Sequence, residues 1–129
     1  MYIFNRAKIE LMNFLKICFI LLIFAIVSCK HEPLLPPVPG EVSYAKDIAP
    51  VMKKSCAYSG CHVLSNNVNF PLEKYSDLIN YGQVVPFKPL DSDLYDVIAR
   101  GYMPLGGNKL SLADQKLIYD WIAKGAKDN

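Results

Sequence analysis

The stretch Cys56-Ala57-Tyr58-Ser59-Gly60-Cys61-His62 separates two thiols by four residues and places an imidazole directly after the second. A run of this kind can staple a small domain as a disulfide, as metal ligands, or by covalent attachment of a cofactor. The chain around it needs such a staple. Ile48, Val51, Met52 and Ser55 lie at i, i+3, i+4 and i+7, which predicts a helix over residues 47–55, with Pro50 tolerable in its first turn. Leu72 to Tyr81 is a weaker helical segment, ended by Gly82. Asp91, Ser92 and Asp93 open a helix that carries Leu94, Val97 and Ile98 on one side and stops at Gly101. Ser111 with Asp114 resembles a capping box, followed by the stripe Leu117, Ile118, Trp121 and Ile122, with Gly125 as the stop. Loops fill residues 63–71, 83–90 and 102–110. The expected class is all-α, with three or four helices in residues 41–129 and no sustained strand alternation. A domain of that size with long loops buries too little surface to be comfortable on its own core.

Upstream the composition changes. The chain has 129 residues, is 52% hydrophobic and carries a formal charge of +2. Residues 1–28 hold 21 of the apolar residues together with Arg6, Lys8, Lys16 and Glu10, so residues 29–129 carry no net charge. That balance argues against a nucleic-acid partner, which requires a basic surface. Ile17 to Val27 is an uncharged apolar run behind a basic stretch, shorter than the roughly 20 residues that span a bilayer. It reads as a signal peptide over residues 1–28, and Met12 is an alternative start. Ile26-Val27-Ser28-Cys29 resembles the bacterial lipobox, which implies cleavage before Cys29 and acylation of that residue. More than one acyl chain makes such an anchor stable, at about 0.8 kcal/mol per buried methylene. Cys18 is then discarded with the signal. Residues 29–40 include four prolines and read as an extended, semi-rigid linker, with His31 solvated within it.

For the central motif three readings stand beside cofactor attachment. A Cys56–Cys61 disulfide leaves His62 without a role. A structural zinc site needs four ligands, and the motif offers three. A thioredoxin-like pair requires closer spacing and a βαβ setting. Two thiols followed by histidine is the arrangement of covalent haem attachment: each thiol adds to a vinyl group and the imidazole ligates the iron. With these residues, Val42-Ser43-Tyr44 and Asp47-Ile48-Ala49-Pro50 before the motif, Ser92-Asp93-Leu94-Tyr95 through Gly101-Tyr102-Met103-Pro104, and Leu110-Ser111 through Trp121-Ile122-Ala123-Lys124-Gly125-Ala126 resemble a small class-I-type cytochrome c domain of bacterial lipoproteins. The resemblance covers residues 42–126. The chain departs from the usual two-residue spacing between the cysteines, and Gly60 is placed to let the longer loop bulge.

The resemblance implies one covalently bound haem c per chain, with thioethers at Cys56 and Cys61 and His62 as proximal ligand. Met103, in a Gly/Pro-rich loop, is the expected distal ligand, and Met52 is expected in the core. Pro71 is expected either to offer its carbonyl to the other nitrogen of His62, as a related proline does in the family it resembles, or to start the next helix. Val63, Phe70, Leu78, Val84, Val85, Leu94, Ile98, Tyr102 and Leu105 are expected to wall the pocket. Ile48, Val51 and Met52 are expected to pack on Ile118, Trp121 and Ile122. The implied function is electron transfer without substrate turnover. The protein would be lipid-anchored in the bacterial cell envelope, facing the periplasm or the exterior, with a redox protein or respiratory complex as partner. Lys46, Lys53 and Lys54 form a local basic face near the motif. Two other functions fit the sequence: a disulfide-stapled, non-redox surface lipoprotein, and a haem sensor module with a displaceable sixth ligand.

Overall fold

Pro50 lacks a backbone N–H, so a helix that contains it must begin just before it. The computed structural model, which describes residues 12–16, 35–58, 60–64, 70–106 and 109–129, places Pro50 in the first turn of α1 (Ala49–Ser55). A π-helical turn, Tyr44–Ile48, runs directly into α1, with the Ile48 N–H bonded to the Ser43 carbonyl five residues back. Then come α2 (Tyr75–Asn80), a 3₁₀ turn (Pro89–Asp91), α3 (Asp93–Ala99) and α4 (Leu112–Ala123). No strand occurs among the described residues. The all-α class expected from the periodicity is observed. The chain has two compact units, residues 1–30 and 31–129. In the first unit residues 12–16 are helical and exposed. Cys18, Cys29 and His31, and with them the apolar signal run and the lipobox, lie outside the described residues. Among the described residues no helix is long and apolar enough to cross a membrane.

The core is built around α4. Ile118, Trp121 and Ile122 are fully buried, as are Ile48 and Met52, and all belong to one apolar cluster. Each such side chain contributes roughly 1.5–3 kcal/mol on burial. The contact with α4 is made by the π-helical turn, and Val51 is only partly buried. Tyr44, Tyr75 and Trp121 meet as an aromatic trio with ring centroids 5.4, 5.9 and 6.3 Å apart. Tyr95 meets Tyr119 edge-on at 5.2 Å where α3 packs on α4.

Polar groups close the ends of α4. Ser111 caps its N-terminus: the hydroxyl accepts from the Asp114 N–H at 3.0 Å and donates to the Asp114 carboxylate at 2.8 Å. At the other end the Gly125 N–H bonds to the Ile122 carbonyl and the Ala126 N–H to the Trp121 carbonyl, a Schellman motif that turns the chain back. The chain end is then tied to the domain's first helical turn. Asn129 takes the Ser43 hydroxyl and the Tyr44 and Ala45 N–H groups. Residues 38 and 40, the end of the expected linker, are also held. The Val38 N–H donates to Asp120, and Lys124 donates to the Val38 and Gly40 carbonyls.

Candidate functional site

The α1 helix ends at Ser55 because the chain turns over Cys56. The Cys56 and Ala57 N–H groups both reach the Met52 carbonyl, and the Cys61 N–H closes a turn onto Tyr58. Gly60, at φ +90°, lies in the left-handed region that the widened loop requires. The His62 N–H returns to the Cys56 carbonyl at 3.1 Å, so the cysteines and the histidine form one folded-back loop. Cys56 is buried and Cys61 half-buried, both as thiols. Burial, with Cys61 nearby, pushes the Cys56 thiol up to about 11. The exposed Tyr58 phenol is hydrogen-bonded to the Cys61 side chain, which raises its pKa.

His62 is fixed from two directions. Its Nδ1–H donates to the Phe70 carbonyl at 3.1 Å, and its ring stacks on the Phe70 ring at 4.8 Å. The carbonyl partner expected at Pro71 is therefore that of Phe70. The structural reason is the Leu72 N–H, which bonds to the His62 carbonyl and sets the two segments in a register that brings residue 70 beside the ring. A carbonyl only accepts, so Nδ1 carries a proton, and the tautomer this bond selects in the neutral ring leaves the lone pair on Nε2.

Cys56, Cys61, His62 and Met103 all line one cleft of about 480 Å³. Sequence reasoning also placed Phe70, Leu94, Ile98 and Leu105 on its walls, and all four line it. Five expected wall residues do not. Leu78 and Val84 are buried in the core behind it, while Val85 and Tyr102 face solvent and Val63 is half-buried outside the lining. Val85 is turned outward because its N–H is held at 2.9 Å by the buried Ser92 hydroxyl, which pins the loop over α3. Tyr102 and Met103 both bond their N–H to the Val97 carbonyl; Met103 reaches the cleft and Tyr102 is left outside.

The walls that sequence reasoning missed include Leu72, Tyr81 and Val97. Val97 was legible, since it shares the apolar side of α3 with Leu94 and Ile98. Tyr81, half-exposed and stacked on Phe70 at 6.0 Å, had no such signal. Gly82 also lines the cleft, and a Cβ there would lie 2.6 Å from the Leu78 carbonyl oxygen, so no larger residue fits without a backbone shift.

The chemical inventory of the cleft is one imidazole, one thioether and two thiols in apolar surroundings, with Ser55, Gln83 and Asp93 as further polar residues. Imidazole and thioether are ligands for a transition metal, and thiols are nucleophiles. Among the described residues no group of three or more His, Cys, Asp or Glu side chains is placed to hold a metal ion. Comparison with protein-family models, with curated proteins and with solved structures gave no match.

Proposed function

We propose that this protein is a membrane-tethered monohaem c-type cytochrome with a cytochrome c-like fold, an electron carrier with no substrate turnover of its own. The observation that carries the reading is the meeting of Cys56, Cys61, His62 and Met103 on one apolar cleft, although Met103 stands 41 residues from His62. The donor set fits haem c. Cys56 and Cys61 would hold it as thioethers through its two vinyl groups, with His62 as the proximal and Met103 as the distal ligand of its iron. Haem bound in this way supplies one-electron exchange between ferric and ferrous iron, with His/Met ligation favouring a raised potential over oxygen chemistry.

The remaining work falls to the chain. The Phe70 carbonyl holds the Nδ1 proton of His62 and so keeps Nε2 available as a ligand. Phe70, Leu72, Leu94, Val97 and Ile98 exclude water from the cleft and lower its dielectric. Cys29 would carry the lipid that holds the domain in the cell envelope. The partner is a redox protein or respiratory complex.

The test is haem staining on a denaturing gel, together with a visible spectrum, of protein made with c-type cytochrome maturation. Covalent haem is expected, and its absence overturns the reading. Met103→Ala should abolish the sulfur-to-iron charge-transfer band; a persistent band removes Met103 from the ligand set. Carbon monoxide binding by the reduced wild type would turn the reading toward a sensor.

A further inference from the structure

In Pro36-Pro37-Val38-Pro39 only Val38 carries a backbone N–H. That N–H donates to Asp120 Oδ2 at 2.6 Å. Lys124, one turn further along α4, donates to the Val38 carbonyl at 2.7 Å and to the Gly40 carbonyl at 2.6 Å. Every backbone polar group of Val38 is thus taken by two side chains on one face of one helix. The receptor is itself braced, because the other Asp120 oxygen is held by Lys116; both residues are buried, at 4% and 5% exposure.

We propose that residues 35–40 form a releasable latch on α4. Of the latch side chains only Val38 is half-buried, while the others are exposed. Val42, just beyond, is 2% exposed and committed to the core. The segment is therefore held by polar contacts with little apolar surface. Opening it lets water solvate one carboxylate and one ammonium group, those of Asp120 and Lys124, which costs less than baring an apolar seam. Proline content keeps the free segment extended, so little conformational freedom is lost on redocking.

Amide hydrogen exchange on the full chain reads the latch directly. In the wild type the Val38 amide should be protected, but less than the Ile122 amide in the core. Lys124→Met should lower Val38 protection by about tenfold, the loss of a charge-assisted hydrogen bond, and leave Ile122 unchanged. An unprotected wild-type Val38 amide overturns docking. A Val38 amide that exchanges only with Ile122, at the global rate, overturns release.

Discussion

Phe70 grips His62 with two different parts of itself, its ring by stacking and its carbonyl by hydrogen bonding. The ring was readable as an apolar wall. The carbonyl was not, because any residue has one and only the register of the return loop decides which is used. Cys56 and Cys61 are alike in sequence and differ in surroundings, one buried and the other half-buried. Burial raises the Cys56 thiol to about 11, so its reactive thiolate is scarce at neutral pH and grows as pH climbs toward that value. In cofactor-free protein, alkylation of Cys56 by iodoacetamide at pH 8 should run on the order of a hundredfold slower than that of an unperturbed cysteine. Peptide mass spectrometry over a time course checks this, and a rate equal to that of the unfolded chain contradicts it.

The helices show how a cap signal can be right in kind and used for another purpose. Ser111 caps α4 as its spacing to Asp114 predicts. Ser92 precedes α3 in the same position but makes no cap bond. Its hydroxyl instead accepts from the Val85 N–H and donates to the Lys88 carbonyl at 2.9 Å. This buried hydroxyl holds the loop over residues 85–88 together with the Phe87 N–H, which bonds to the Ile122 carbonyl at 2.8 Å. Ser92→Ala should cost about 1–3 kcal/mol, the penalty of leaving those backbone groups without their partner. Urea denaturation measures the loss, and faster amide exchange confined to Val85 and its neighbours localises it. A comparable change at Ser111 should cost about 1 kcal/mol, the ordinary value of an N-cap.

Across the whole domain, α4 is the organiser, since its apolar face carries the core and its polar face holds the segment at residues 38–40. On α4 the Lys116–Asp120 ion pair is buried. Asp120→Ala strands a buried ammonium and should destabilise the fold by about 3–5 kcal/mol. Adding Lys116→Met should recover much of that loss. Thermal or urea unfolding of the two variants tests the pair, and equal destabilisation by both would contradict it. The helical class, the four helices and the residues that line the cleft from the Cys56–His62 loop were legible in the sequence, because each is written in local spacing. The wall positions were legible only in part. Leu78 and Val84 are as apolar as Leu94, and nothing in their spacing says that they face the core and not the cleft.

By itself the sequence determined where the four α-helices lie, the cap at Ser111, the Cys56–His62 motif and the change in composition at residue 28. All are short-range properties, set by neighbours within a turn or two. Only the tertiary structure decided that Met103 shares a cleft with His62, that the Phe70 carbonyl holds the imidazole, and that a proline-rich segment docks on α4. Each of these joins residues through loops whose ends are brought together by packing, and packing depends on how the apolar faces of separate helices fit against one another.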